Sequence, residues 1–404
     1  MNIYQNLVKL LNMYAMVSLW RAAETIFYFT ICHLPLRCIL ILKAKGAFMK
    51  AKTFSGYWGK CHCQGVAVDE KKGYIYYSFT TKLVKSDLDG NVIGTVDNII
   101  GHLGCIEFCD LDGKIYASLE YKNDGIGRSI LKSLGISDEN TSDAFYIAIF
   151  DVDKIDRMDM DAEKDGIMKT VYLKTVVEDY NGTVTNHGEV CKHVHGCSGI
   201  DGVTIGPDFG DKLGAKRYLN VCYGIYSDLN RTDNNYQVIL QYEIDDWWDR
   251  VAKPLSQREM HRSGPSTCRK KYFVYTGNTN YGIQNFEYDS YTGDYFACVY
   301  RGQKPSFPNY PMFVIDGGIA AREESLVGHE NGEKGLVLTL KDTGLRENGI
   351  SGIEFGCGST GFHSFGDGYF YVSKSFRDEE KGQATNVCLF RLITDSKWSF
   401  EEIL

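Results

Sequence analysis

One stretch, Gly59 to Tyr121, constrains what this chain can fold into more than any other. Gly59-Lys-Cys-His-Cys-Gln-Gly-Val-Ala-Val-Asp69 is followed by Gly73-Tyr-Ile-Tyr-Tyr-Ser-Phe79, and Gly101-His-Leu-Gly-Cys-Ile-Glu-Phe108 by Gly113-Lys-Ile-Tyr-Ala-Ser-Leu-Glu-Tyr121. In each half a polar residue on a glycine-flanked turn opens a short apolar strand, and a second, Tyr-rich strand follows a glycine. The same unit restarts near His195, at Tyr281 and at Gly358. Five modules of four short strands each are predicted, with Lys169 to Val176 closing module two after an insertion over Lys122 to Asp143, Gly335 to Leu340 closing module four and Phe400 to Leu404 closing module five. Radial repetition of such modules is a β-propeller. A large sandwich or a parallel β-helix competes, but sandwich strands need not restart on the same polar-Gly-apolar turn. The fold class is therefore read as all-β, a propeller of four-stranded antiparallel blades.

Composition fits this plan. Of 404 residues, 42 are Gly and 27 Tyr, and only 7 are Pro, as short strands and tight turns require. The formal net charge of −8 argues against nucleic acid or an anionic membrane as partner. It leaves room for an anionic sugar at a local cation cluster. The 13 Cys form no regular framework and read as mostly buried free thiols of a reducing compartment. Cys61-His62-Cys63 and His193-Val-His195-Gly-Cys197 raise zinc, but their spacing is not that of a zinc finger, and adjacent strand residues face opposite ways.

Residues 1–48 break the pattern. Ile26 to Leu42 carries His33, Pro35 and Arg37, too many interruptions for a membrane span of about 20 residues. It also lacks the layout of a signal peptide. The expected division is a disordered or non-native extension over 1–48 and a single propeller catalytic domain over 49–404. A start at Met49 implies a cytoplasmic protein, with an extracellular one as the alternative.

Aligned module starts place His62, His102, His195 and His363 at one recurrent position, with Tyr281 and nearby Gln284 in module four. Residues there face the central channel. A single histidine at a strand start is ordinarily structural; four at equivalent positions suggest an acid–base or cation-binding ring. His187 and His193 lie beside the set. Tyr121 and Arg128 lie just past the second strand of module two, Arg301 ends that strand in module four and Lys374 sits on it in module five; three cations near the ring would suit an anionic ligand. Gln64 joins the substrate-binding set. Trp58, Tyr281 and Phe362 are candidates for stacking on sugars. Glu107, Glu120, Asp201 and Glu287 are candidate carboxyls by position alone. No nucleophile elbow, phosphate loop or dinucleotide fingerprint stands in a credible context.

Through Cys61-His-Cys-Gln-Gly-Val-Ala-Val68, Tyr76-Tyr-Ser-Phe-Thr-Thr-Lys-Leu-Val-Lys-Ser-Asp-Leu-Asp-Gly90 and Gly101-His-Leu-Gly-Cys-Ile106, the chain resembles a known propeller family. That family acts on the terminal α-1,4-linked L-rhamnosyl-D-glucuronate unit of arabinogalactan and gum arabic. It comprises rhamnose–glucuronate lyases and related α-L-rhamnosidases. The resemblance implies seven blades, where the residues give five modules. It implies β-elimination, with His102 and His195 as base or acid, Tyr121 assisting, and Arg128 and Arg301 holding the uronate carboxylate. A hydrolase would instead combine a histidine with the substrate's own carboxylate. Other readings remain: a metal-dependent enzyme such as a lactonase, with a divalent cation on His62, His102, His195 and His363, and a non-catalytic propeller that binds glycans or proteins. The last predicts buried, bonded histidines.

Overall fold

The computed structural model describes residues 49–136, 142–212, 214–395 and 397–404. The expected extension over 1–48 lies outside them. Lys50–Leu404 forms one compact unit. Its sheets are five blades of a β-propeller, which matches the module count and not the seven blades of the resemblance.

Each blade starts on an inner strand and meanders outwards. Blade I runs Cys63–Asp69, Tyr74–Phe79, Lys82–Asp87, Val92–Asp97, and blade II runs His102–Cys109, Lys114–Tyr121, Ala144–Phe150, Met168–Tyr172. Blade III runs Cys197–Gly206, Tyr218–Ile225, Tyr236–Tyr242, Lys270–Tyr275. Blade IV has three strands, Asn280–Asp289, Asp294–Tyr300 and Met312–Ile315, and blade V begins Phe362–Ser364, Tyr369–Asp378, Gly382–Ile393.

The glycine turn is the local device behind the repeat. Gly73, Gly113 and Gly293 have φ of 71°, 70° and 73°. Each donates its N–H over 2.8 Å to the carbonyl four residues back, on Asp69, Cys109 and Asp289. Only glycine adopts that left-handed backbone without penalty. The blades pack face to face through apolar clusters. Ile106, Ala117 and Tyr146 of blade II meet Ala67 and Tyr76 of blade I; Phe145 and Ile147 meet Ile200 and Tyr223 of blade III. Phe286 and Tyr295 pack on blade III, and Phe296 and Cys298 on Phe370 and Val372 of blade V.

Three expectations change. Gly335 to Leu340, read as the outer strand of module four, pairs instead in parallel with blade III, Tyr272 opposite Leu336. Only Leu340 bridges back to Ile315. Blade V was expected to end on Phe400 to Leu404 alone. Its outer edge is built end to end from two pieces: Lys52–Tyr57 pairs with Ala384 to Cys388, and Ser399–Glu402 with Phe390 to Ile393. Because Lys52–Tyr57 leads directly into blade I, this pairing closes the ring. Lys169 to Val176, read as one strand, becomes the strand Met168–Tyr172 followed by helix α2, Lys174–Asn181.

The insertion after Tyr121 holds helix α1, Gly125–Ser133, capped by the Asp124 carboxylate on the Gly127 N–H at 2.9 Å. The eleven cysteines among the described residues are free thiols, most of them buried. No helix among the described residues is long and apolar enough to cross a membrane.

Candidate functional site

Bulges at the starts of the inner strands place the site. The ladders of blades II, III and IV slip between Leu103 and Ile106, between Ile200 and Val203, and between Ile283 and Asn285. A bulge inserts a residue and re-aims its side chain. Here the slips leave out Asp201 and Gln284, and both turn to the axis beside His102. Gln284 donates to the Asp201 carboxyl at 3.0 Å and to the Tyr281 carbonyl at 2.8 Å.

The second strand of blade II completes the cluster. Alternation sends Glu120 and Lys122 to one face and Tyr121 to the other. Lys122 Nζ lies 2.6 Å from Glu120 Oε1 and donates to the Ser198 carbonyl at 2.8 Å. Glu120 Oε2 accepts the Ile200 N–H at 3.1 Å. His102 Nδ1 is 3.4 Å from Glu120 and 3.9 Å from Asp201, short of a regular hydrogen bond to either. Two glycines make room: a Cβ on Gly199 would lie 2.0 Å from Glu120 Oε2, and one on Gly104 2.9 Å from Asp201 Oδ1.

The charges follow from this packing. Burial pulls the His102 pKa down, but Glu120 and Asp201 outweigh it, and the net shift is upwards. Burial pushes Glu120 up, but Lys122 and His102 prevail and hold it below the ordinary value. At Asp201 the lowering influences of His102, Lys122 and the Gln284 hydrogen bond do not outweigh burial. Burial, with Glu120 adding to it, raises it to about 7. Near neutral pH the cluster thus holds an ion pair, an imidazole with its pKa raised, and a carboxyl balanced between its two forms.

The remaining candidates separate. His62 is half-buried near His102, and burial lowers its pKa, His102 adding to the effect. Gln64 is buried and donates to the Thr80 hydroxyl at 3.2 Å. Tyr281 is exposed with φ of 65° and lends the site its carbonyl. Tyr121 is no part of the channel: its ring lies in the blade I–II core and its hydroxyl donates to Gln257 at 2.8 Å. Arg128 lies exposed on α1 and bonds the Asn123 carbonyl at 2.6 Å. Arg301 pairs with Glu354, and Lys374 with Glu402 at 2.6 Å, both away from the cluster. Trp58 donates to the Ser55 carbonyl at 2.6 Å, and Phe362 is buried between blades IV and V.

The four histidines do not form a ring. His195 sits ahead of its strand on a left-handed backbone (φ 56°), and its ring packs 5.1 Å from Phe273 of the outer strand of blade III. His363 is displaced along the axis. It precedes the last residue of its inner strand, beside the closing turn, whereas His102 opens its own. There its Nδ1 lies 3.6 Å from Glu287 Oε1, which also accepts the Ser364 N–H at 2.7 Å. Glu107 shares a hydrogen bond with Glu287.

Lys122 was read from the sequence as the start of an insertion. The alternation Glu120-Tyr121-Lys122 is the signal that would have found it. A small cavity of about 10 Å³ adjoins His102, Glu120 and Lys122. Ile100 and Leu131 line it and also line a cleft of about 420 Å³, which carries Tyr146, Tyr172, Asp143, Glu163, Arg258 and Arg262.

The site therefore belongs to a five-bladed propeller with a charged cluster at one end of its axis. No family model matches the chain, and no curated protein matches it. Solved structures do. An exo-1,5-α-L-arabinanase from a bovine ruminal metagenomic library is 12% identical over 84% of this chain and 97% of its own, with a TM-score of 0.38. A gluconolactonase from Xanthomonas campestris is 10% identical over 82% and 87%, TM-score 0.29, and the Dos1 propeller 8% over 83% and 82%, TM-score 0.28. At these values the likeness concerns the propeller plan alone and says nothing about activity.

Proposed function

We propose that the protein is a carbohydrate-active enzyme that cleaves a glycosidic bond by hydrolysis at the Asp201–His102 pair. The substrate is the L-rhamnosyl-α-1,4-D-glucuronate terminus to which the sequence resemblance points. One observation carries this reading: two buried carboxyls flank one imidazole, and their surroundings push them to opposite protonation states. Such a split is how acid and base roles are divided in one pocket. Asp201 is the general acid, giving its proton to the leaving glycosidic oxygen. The uronate carboxylate of the substrate takes a proton from the attacking water. Glu120 and Lys122 are positioning residues: Glu120 favours the protonated form of His102, and Lys122 keeps Glu120 ionised.

Elimination fits this arrangement less well. It begins by taking a proton from C5, and the pair at this site is loaded with protons. It also needs a cation for the uronate; Arg128, Arg301 and Lys374 lie elsewhere, Lys122 is held by Glu120, and Arg258 and Arg262 line the neighbouring cleft and not the cavity at His102. The cleft beside Ile100 and Leu131 offers room for a sugar, with Tyr146 and Tyr172 in its wall.

A second reading, a non-catalytic glycan- or protein-binding propeller, draws on a different observation. His195 and His363 are buried, and the cavity at His102 is the size of one water. Incubation with gum arabic separates the readings. Rhamnose released without absorbance of an unsaturated uronate, and abolished in Asp201→Asn, is the expected result. Rhamnose with that absorbance would replace hydrolysis by elimination. No rhamnose would reject both for this substrate and favour the binding protein.

A further inference from the structure

We propose that His195, His329 and Glu333 form a binding site for a divalent transition metal ion, zinc first among them, at the periphery of blade III. The site is independent of the axial cluster and of the glycosidase reading.

Three donors converge there. His329 Nδ1 lies 2.8 Å from Glu333 Oε2, and His195 Nε2 lies 3.9 Å from Glu333 Oε1. One ligand atom from each residue lies within 4.8 Å of the others, the one such group of three among the described residues. With metal–ligand bonds of about 2.0–2.1 Å, tetrahedral donors sit roughly 3.3 Å apart. The two observed separations bracket that distance, so small side-chain rotations close the shell. Two imidazoles and one carboxylate suit zinc, iron(II) or cobalt(II) better than calcium or magnesium.

The surroundings favour a ligand. His329 has a side chain 1% exposed and His195 4%, whereas Glu333 is 41% exposed. Two ligands thus come from a dry interior and the third from the rim, leaving further coordination positions towards solvent. Phe273 and Tyr236 wall the pair, with ring centroids 5.1 Å from His195 and 5.9 Å from His329. His193, His195 and Gly196 all have positive φ, a strained run that fixes the ring.

The ion would act as a staple. His195 ends the linker from blade II to blade III. His329 and Glu333 lie in the loop between Arg322–Ser325 and Lys334–Val337, the hairpin that leaves blade IV and pairs back on blade III. Without a metal, that loop is held by hydrogen bonds such as Val327 N–H to the Tyr236 hydroxyl at 2.9 Å.

The test uses the full chain, stripped by chelator and titrated with Zn²⁺ by calorimetry. Metal analysis and thermal unfolding accompany it. The expected result is one equivalent bound and a raised Tm. Glu333→Gln should weaken binding by more than the roughly 10–100-fold that loss of an outer partner costs. Glu333 is on the surface, so that variant folds; His329→Gln is the second arm. No uptake by the wild-type chain would overturn the proposal, as would unchanged affinity in both variants.

Discussion

The two ends of the propeller axis hold the same groups, two carboxyls and a histidine, and differ by one lysine. At the His102 end, Lys122 reaches Glu120 at 2.6 Å, and the carboxylate stays ionised. The pKa of His102 is in turn raised, Glu120 and Asp201 outweighing burial. At the other end Glu107, Glu287 and His363 meet with no cation from the described residues against them. Burial raises Glu107 to about 8, outweighing the hydrogen bond to Glu287 that lowers it, and burial together with Glu107 raises Glu287 well above its ordinary value. Burial alone lowers His363 to about 4. Near neutral pH that end is an uncharged, proton-sharing plug, while the His102 end is charged. Burial sets the direction everywhere, and one compensating charge reverses it. That is why the His102 end is the candidate for chemistry.

The comparison breaks most decisively at Asp201. If the charged end is catalytic, Asp201→Asn should lower kcat by about 10²–10⁴-fold, the usual worth of a positioned acid. Glu107→Gln should leave kcat near the wild-type value. Rhamnose release from gum arabic measures both. Equal losses in the two variants would erase the distinction between the ends.

Lys122 comes next. Lys122→Met leaves Glu120 as a buried carboxylate with its main partner gone, which costs about 3–5 kcal/mol. Urea denaturation at pH 7 reads it. The double variant Lys122→Met/Glu120→Gln should recover most of the loss. A single-variant cost below about 1 kcal/mol would mean that Lys122 does not set the charge of this end.

The sequence made some of this legible and hid the rest for physical reasons. Blade number followed from glycine turns, because Gly73, Gly113 and Gly293 answer a purely local backbone demand. His102 followed from the same repeat. Asp201 and Gln284 were visible only by position, since bulges aim them and a bulge has no residue signature. Lys122 was hidden because an insertion begins beside it. His363 was misplaced because the inner strand of blade V is only three residues, Phe362–Ser364, so its first ladder residue lies near the closing turn. His195 was misplaced because its left-handed backbone turns the ring away from the axis. The closing strand Lys52–Tyr57 was missed because its partner lies more than 300 residues away in sequence.

The uncharged end has its own signature in pH. Glu107 has an ordinary pKa of 4.5 and about 8 in the folded chain. The folded state therefore holds a proton that the unfolded state gives up, and stability falls as pH rises from about 4.5 to about 8, then levels. Glu107→Gln should flatten that decline, and its gain in Tm over wild type should be larger at pH 8 than at pH 5. A decline of equal slope in the variant would place the protons elsewhere.

The smallest effects belong to the cations that the sequence had put at the axis. Arg301 and Glu354 are each about half exposed (48% and 51%), and Lys374 and Glu402 more than 30% (38% and 31%), so water screens both pairs. Exposed pairs contribute about 0–1 kcal/mol. Arg128 bonds the backbone and side-chain oxygens of Asn123, five residues away. Arg128→Ala, Arg301→Ala and Lys374→Ala should each shift stability by less than about 1 kcal/mol and leave KM for the gum arabic terminus unchanged. A large rise in KM in any of them would bring that cation back to the substrate. It would also restore the carboxylate clamp that elimination needs, and the His102 end would no longer account for the chemistry on its own.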